Sequence, residues 1–354
     1  FIFIYAFILK RYLPAFLAGL FLLQPLLSFT FTCFFIQLRP FLLCNIFAVL
    51  GIYCLINKKY RQLFILSLLY PLTHISFFML IVYALICEGI RYLLTKEVYF
   101  KSLCAVVIGT LLGCFLHPNF PNNLLIFHLN SVLVPLYTLQ GIDLTFGSEF
   151  ISKTTKIALF DNFAVFLALN IVLWLGLLKK IKASLATCVW LACASLYLVL
   201  SFLSNRYWYP ANTIFFIFLA AYVNDWISAK KGQDVLPGIS AILGLSLSFT
   251  LIFFPLNIRD IKNTIKNFSR MNSHYEATAK WMQKNIPPGE LIYHPFWSDS
   301  PYFMCFNPKN NYISVLDPIY MFYRYPKEFL INKDLYEGRF QNPQEVLGEV
   351  FKVT

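Results

Sequence analysis

Long runs of apolar residues recur along three quarters of the chain, and they constrain the fold more than any other feature. Of the 354 residues, 58% are hydrophobic and 13% are charged, against roughly 25% charged in an ordinary soluble domain. About 20 apolar helical residues span the hydrocarbon core of a bilayer. Several runs reach or approach that length, and short basic loops separate them. The sequence therefore predicts a mainly α-helical, polytopic membrane protein. The apolar runs are residues 1–9, 13–36, 41–56, 63–87, 102–116, 160–178, 184–204, 211–227 and 237–256.

The composition changes after residue 256, and this change predicts two domains. We assign residues 1–256 to a transmembrane helical domain with about nine to ten membrane segments, the first of them partial. Residues 257–354 are predicted to form a small α/β extracytoplasmic domain, incomplete at its end. In it, an amphipathic helix before "NIPPGE" precedes two predicted strands, "LIYH" and "YISVL". Because the first run resembles the second half of a helix, we expect a missing upstream segment.

The net charge of +12 is explained by the loops between the apolar runs. Most of the excess of Lys and Arg lies before residue 257, and the rest of the chain is nearly balanced. This distribution is typical of the positive-inside signal of membrane proteins rather than of a nucleic-acid surface. We therefore predict membrane lipid, and no nucleic acid, as a partner. The chain has no CxxC pair and its histidines are scattered, so the sequence indicates no zinc site.

Loop charge favours a topology in which the run at residues 63–87 folds back on itself. If that run crosses the membrane once, eight cations before residue 257 lie inside and nine outside, so there is no bias. A bend at "PLTH", residues 71–74, places thirteen inside and four outside. A crossing at residues 124–137 gives ten and seven, and we interpret that segment instead as an interfacial helix. The inside set is Lys10, Arg11, Lys58, Lys59, Arg61, Arg91, Lys96, Lys101, Lys179, Lys180, Lys182, Lys230 and Lys231.

The fold-back topology gathers Arg, His, Asn and aromatic residues in the outward loops. Such a set suits a phosphorylated lipid, because Arg forks onto phosphate oxygens and aromatic rings lie against sugar faces. Structural interpretations also stand: Arg39 can end a helix, "HPNFPNN" is a strong helix stop, and "RYWY" can anchor an aromatic belt. Ionisable groups are expected in the loops rather than within helices. The candidate substrate-binding residues are Arg39, His74, His117, Asn119, Arg206, Tyr207 and Tyr209.

Several of these motifs resemble the GT-C superfamily of multi-pass membrane glycosyltransferases, which includes protein O-mannosyltransferases and lipid A aminoarabinose transferases. "RYWYPANTIFFIFLAAY" is similar to the R-Y-x-x-P helix start of these enzymes, and "YEATAKWMQKNIPPGELIY" is similar to the opening of their outer domain. An "RP" after an early hairpin and a Pro- and Asn-rich outer loop add to the likeness. The resemblance covers most of the chain at the level of architecture.

The resemblance implies a chemistry at the outer face of the cell membrane. A sugar would pass from a polyprenyl-phosphate donor to a lipid, glycan or protein acceptor, and an acidic residue in the first outer loop would act as general base. That loop would lie upstream of Phe1, so no catalytic acid is carried over. Asp143 and Glu149 are weak substitutes. The residues define no cofactor site, and the resemblance leaves a divalent metal open. The alternatives are a transporter or flippase of a lipid-linked or small substrate, and a noncatalytic membrane scaffold.

Overall fold

The computed structural model describes the chain except residues 29–30, 33–34, 36–39, 145–153, 163–164, 167–168, 171–181, 231–235, 314–316 and 353–354. The described chain is mainly helical and divides into two compact units. The first unit comprises Phe1–Phe127 and Glu149–Ile261. The second unit comprises His128–Ser148 and Lys262–Thr354. The predicted boundary at residues 256/257 lies in the same part of the chain as the end of the first unit.

Most helices of the first unit follow the predicted apolar runs, and the run at residues 160–178 lies largely outside the described residues. A 3₁₀ turn, Gln24–Leu27, extends the second helix, and two others, Ile75–Phe78 and Asn205–Tyr207, lie just before the helices that begin at Met79 and Trp208. The helices are α1 (Ile2–Leu9), α2 (Ala15–Leu23), α3 (Phe41–Ile56), α4 (Tyr60–Leu69), α5 (Met79–Thr95), α6 (Phe100–Phe115), α7 (Asn122–Phe127), α9 (Thr155–Asp161), α10 (Leu185–Leu203) and α11 (Trp208–Ala229), with α8 (Val134–Leu139) in the second unit.

A single long helix, α12 (Leu236–Asn285), follows α11 and continues past the predicted end of the last apolar run. Residues 257–285 contain no Pro or Gly, so nothing in their backbone chemistry stops the helix. The helix ends before "IPPGE", as the two prolines and the glycine predict. The predicted amphipathic helix is therefore the last part of α12 rather than a separate element.

The second unit has a small core around two short parallel strands. Strand β1 (Leu291–Ile292) pairs with β2 (Asn311–Tyr312), so both predicted strands exist but are shorter than expected. The end of "YISVL" lies outside the described residues. The core contains Ala279, Ile292, Phe303 and Tyr312. The remaining helices are α13 (Ser300–Phe306), α14 (Pro318–Arg324), α15 (Pro326–Tyr336) and α16 (Pro343–Phe351).

Helix α11 is the central helix of the first unit. Nearly every residue from Trp208 to Val223 is buried, although the segment contains Asn212 and Thr213. Those polar side chains are paired: the Asn212 amide donates to Asn162 Oδ1 at 3.0 Å, and Asn45 donates to Thr213 Oγ1 at 3.1 Å. Buried polar groups require such partners, so these contacts fix how the neighbouring helices meet α11.

The run at residues 63–87 is bent, as the loop charges predict. It forms α4, a turn at Tyr70 and residues 71–74, and then the helical segment that leads into α5. Helices α4 and α6 run parallel: Gly109 of α6 lies against the Phe64 carbonyl, and Gly113, one turn later, lies against the Leu68 carbonyl. Because α5 connects α4 to α6 through short turns, it must run in the opposite direction. The predicted fold-back is confirmed as chain geometry.

The fold-back gives this part of the first unit two distinct ends. At the end of α5, the Arg91 guanidinium donates to the carbonyl of Leu55, at the end of α3, at 2.8 Å. Lys58 lies over the Tyr99 ring there, and Lys101 lies over the Tyr60 ring. We call this the basic end. At the opposite end, which we call the bend end, the Tyr70 hydroxyl lies 3.5 Å from the Cys44 carbonyl oxygen.

The interpretation of Arg91 as a loop cation is wrong. Arg91 and Glu88 lie within α5, and both are almost completely buried. They form an ion pair with each other, and the second oxygen of the Glu88 carboxylate accepts a hydrogen bond from the Tyr99 amide at 2.8 Å. A buried charge needs a partner of this kind, so the pair ties the end of α5 to α3 and to the start of α6. In the sequence, the only indication of this ion pair is that Glu88 and Arg91 are three residues apart.

Two of the described helical segments are long and apolar enough to cross a membrane by length and composition. These are Ile75–Thr95 and Leu185–Leu203. Four further apolar helices are shorter: Ala15–Leu26, Leu42–Ile56, Tyr60–Leu69 and Phe100–Phe115. A helix of 10 to 16 residues covers about 15 to 24 Å, less than the hydrocarbon thickness of a bilayer. Length and composition therefore give limited support for a membrane location.

Candidate functional site

The bend between α4 and α5 is held by a compact set of polar side chains. Tyr70 is buried, and its hydroxyl lies 3.0 Å from the hydroxyl of Ser76. The Ser76 hydroxyl in turn lies 2.8 Å from Nδ1 of His74, and the Ser76 amide donates to the same nitrogen at 3.1 Å. The proline at residue 71 lacks a backbone N–H and ends the helix, and these contacts hold the turn that follows it. We call Tyr70, His74, Ser76, Arg206 and Tyr207 the bend cluster.

His74 in the bend cluster is a neutral imidazole. Burial, followed by the nearby Arg206 guanidinium, lowers the pKa of His74 to about 4. Because Nδ1 accepts a hydrogen bond from a backbone amide, the ring proton of the neutral form is on Nε2. His74 therefore presents a neutral N–H donor next to a permanent cation. Such a combination can bind phosphate oxygens without a second full charge.

Arg206 and Tyr207 reach the bend cluster from the turn that precedes α11. That turn, Asn205–Tyr207, is half-buried. The Tyr207 ring lies beside the Tyr197 ring of α10, with centroids 6.3 Å apart, and the Tyr197 hydroxyl is hydrogen-bonded to the Tyr83 hydroxyl of α5. Burial raises the pKa of Tyr207, so its phenol remains a neutral hydrogen-bond donor. The structure thus brings two separated candidate motifs, "PLTH" and "NRY", to one place.

Tyr209 and its neighbour Trp208 are packed away from solvent. Tyr209 is 1% exposed and stacks on Phe31, with ring centroids 4.7 Å apart. Trp208 is fully buried against Phe166 and Phe202. This burial contradicts the interpretation of these two rings as an exposed aromatic belt. Tyr209 instead extends an aromatic group that includes Phe1 and Phe35.

His117 and Asn119 lie in a separate turn after α6. The Asn119 amide donates to Nδ1 of His117 at 3.0 Å, and Asn122 donates to the Asn119 side-chain oxygen at 3.4 Å. These contacts are within the turn, and Asn119 is exposed. Because Gly113 abuts Pro71, the turn begins at the bend end of the unit. The helix-stop interpretation explains its hydrogen bonds, and its role in binding stays a prediction.

Of the two candidate acids, the structure describes only Asp143. Asp143 belongs to the second unit, where its carboxylate forms a salt bridge with Lys333 at 3.0 Å. Glu149 lies outside the described residues, and so does the candidate donor contact Arg39. Within the described ranges, there is also no group of three or more His, Cys, Asp or Glu side chains that would hold a metal ion.

Sequence reasoning missed three residues around the site: Tyr70, Ser76 and Tyr197. Tyr70 stands directly before the proline of the bend, and Ser76 stands two residues after His74, so their local sequence gave a usable signal. Tyr197 lies in the middle of an apolar run. A buried phenol usually finds a hydrogen-bond partner, but nothing in the sequence indicates that the partner is Tyr83.

Comparison with known proteins adds no relative: no family model matches the chain, and neither a curated protein nor a solved structure is significantly similar to it.

Proposed function

We propose that the protein is a membrane glycosyltransferase of the GT-C type, which moves a sugar from a polyprenyl-phosphate donor to a lipid, glycan or protein acceptor at the outer membrane face. The observation that supports it best is the convergence of His74 and Arg206 at the bend end. Their motifs are more than 120 residues apart in the sequence, and the fold-back is what brings them together. The sequence resemblance supports the reaction class.

In this proposal the bend cluster binds the phosphate of the donor. Arg206 carries the permanent positive charge, and its planar guanidinium can bond two phosphate oxygens at once. His74 adds a neutral donor from Nε2, and Tyr207 adds a phenol whose ring is half-buried beside Tyr197. The phosphate is the leaving group of the transfer, so a cation at this position stabilises the charge that develops on it. The proposal explains how the sugar donor is bound, and it assigns no general base.

Sugar transfer from lipid-linked donors to membrane acceptors tests the proposal in the full-length protein. We expect Arg206→Ala to lower the rate by about 10- to 100-fold, the value of a lost charged hydrogen bond. The matched control is Arg61→Ala, which removes an exposed arginine at the basic end. Arg39→Ala extends the test to the other candidate donor contact. An unchanged rate of sugar transfer in both Arg206→Ala and Arg39→Ala would contradict the proposed donor site.

The proposed location is the cell membrane, with several crossings, the bend end outside, and the second unit extracytoplasmic. The charge distribution supports it, because five described cations lie at the end of α3, the start of α4, the end of α5 or the start of α6: Lys58, Lys59, Arg61, Lys96 and Lys101. In a cysteine-free background, an impermeant thiol reagent added outside should label Thr73→Cys and not Lys96→Cys. Ready labelling of Lys96→Cys would contradict the proposed orientation.

A further inference from the structure

Helices α4 and α6 begin side by side at the basic end. Gly109 of α6 lies beside Phe64 and Ser67 of α4, and Gly113 lies beside Leu68, so the two helices are parallel and in register. Their N-termini, Tyr60 and Phe100, therefore lie at similar heights, as the contact of Lys101 with the Tyr60 ring also indicates. Each N-terminus carries about half a positive charge from its backbone dipoles. Two parallel dipoles repel each other, and an anion at their shared end relieves that repulsion.

Both helix starts lack the negative groups that usually balance such an end. Neither helix has a side-chain cap, and neither has an acidic residue in its first turn. Instead, four cations surround them: Lys58, Lys59, Arg61 and Lys101. The carboxylate of Glu88 accepts the Tyr99 amide, but its charge is matched by Arg91. Glu97 is exposed in the preceding loop. The starts of α4 and α6 therefore have a clear excess of positive over negative charge.

A buried hydroxyl group at the same place lacks a partner. Ser102, in the first turn of α6, is 0% exposed, and within the described part of the chain its Oγ has no hydrogen-bond partner. Ser102, Val106, Gly109 and Gly113 share one face of α6, and the two glycines show that this face meets α4. By the parallel register, Ser102 lies at the level of the start of α4. An unpaired buried hydroxyl is costly, so it indicates an acceptor that binds there.

We propose that the paired starts of α4 and α6 bind a phosphate group, supplied in the membrane by the headgroup of an anionic phospholipid. Its donors are the ammonium groups of Lys58 and Lys101, the hydroxyl of Ser102 and first-turn amides other than those of Tyr60 and Ser102, which donate to backbone carbonyls. The two lysines now lie over the rings of Tyr99 and Tyr60, with distances to the centroids of 5.5 and 5.8 Å. From there each can swing to a phosphate placed between the helices. The lipid source rests on the membrane location proposed above; the phosphate site itself does not.

Binding of short-chain lipids to the purified full chain in neutral detergent tests this site, with tryptophan fluorescence as the readout. Three probes are titrated: dioctanoyl phosphatidylglycerol, dioctanoyl phosphatidylcholine and inorganic phosphate. We expect phosphatidylglycerol to bind at least about tenfold more tightly than phosphatidylcholine, since each cation near an anionic surface adds to the affinity. Equal binding of the two lipids would overturn the proposal. Binding of inorganic phosphate as tight as that of phosphatidylglycerol would support the phosphate site and assign it to a soluble anion.

Two double variants distinguish lipid binding at this site from general electrostatic attraction to the cations of the basic end. We expect Lys58→Gln/Lys101→Gln to weaken phosphatidylglycerol binding by about tenfold or more, and Lys96→Gln/Lys230→Gln, which removes the same charge, by less than about threefold. Equal weakening in both would overturn the site. Ser102→Ala should weaken binding by about threefold or more, and unchanged affinity would contradict the role of the hydroxyl. Sugar transfer is not measured, so failure here and failure of the glycosyltransferase proposal remain distinguishable.

Discussion

The basic end and the bend end of the first unit hold their charged groups in different ways. At the basic end, most cations are exposed or lie over aromatic rings, and the buried one, Arg91, is matched by Glu88. At the bend end, Arg206 lies beside neutral donors, and His74 is kept uncharged by burial and by that arginine. The first arrangement stabilises the chain. The second places a cation close to a neutral imidazole.

The largest effect on stability should come from the buried pair at the basic end. Glu88→Gln leaves the Arg91 charge buried without its counter-ion, and removal of one member of a buried pair costs about 3 to 5 kcal/mol. Thermal unfolding in neutral detergent measures this loss of stability. Glu97→Gln, an exposed change in the neighbouring loop, should stay within about 0.5 kcal/mol. Comparable losses for the two variants would mean that burial does not distinguish these carboxylates.

The next largest effect on stability should come from the packing of α4 against α6, the two parallel helices that run from the basic end to the bend end. A Cβ atom at Gly113 would clash with the Leu68 carbonyl oxygen, so Gly113→Ala must push α6 away from α4. We expect a loss of about 2 to 3 kcal/mol in the free energy of unfolding.

The matched control for Gly113 is Gly89→Ala in α5. A Cβ atom there meets nothing within 4 Å, so the change should be neutral or stabilising by up to about 1 kcal/mol. If Gly113→Ala is tolerated as well as Gly89→Ala, the parallel contact between α4 and α6 is wrong.

A smaller effect should appear at the bend end as a dependence of stability on pH. The pKa of His74 falls from an ordinary value of 6.5 to about 4 on folding. Between these values the unfolded chain binds a proton that the folded chain does not, so stability falls as the pH decreases from about 6.5 to 4. The expected loss over that range is up to about 2.5 kcal/mol, measured from unfolding midpoints at a series of pH values.

Two variants show whether this pH dependence belongs to His74. His74→Gln should remove this part of the dependence, and His117→Gln should retain it because His74 is still present. A profile that is the same in His74→Gln and in the unchanged protein would assign the effect to another group.

The sequence predicted the helical class, the bend at residues 71–74 and the grouping of Lys58, Lys59, Arg61, Lys96 and Lys101 at one end, because hydrophobic runs, proline and loop charge are local or additive signals. It did not predict the Glu88–Arg91 pair or the contact between Tyr83 and Tyr197. These depend on which helix faces meet, and apolar runs with no polar stripe do not specify that. His74 and Arg206 were both candidates, but their proximity required the three-dimensional packing.

The smallest effect on stability is expected when an exposed cation of the basic end is removed. Lys96 caps the end of α5 with its amide bonded to the Tyr92 carbonyl, and its ammonium lies over the Tyr92 ring at 5.4 Å. Lys96→Gln keeps the backbone contact and removes only the charge, so the stability should change by about 0.5 kcal/mol or less in unfolding experiments in neutral detergent. Lys96 and Arg91 are five residues apart in the sequence and carry the same charge. A loss for Lys96→Gln as large as that for Glu88→Gln would show that an exposed cation stabilises the basic end as much as the buried pair does.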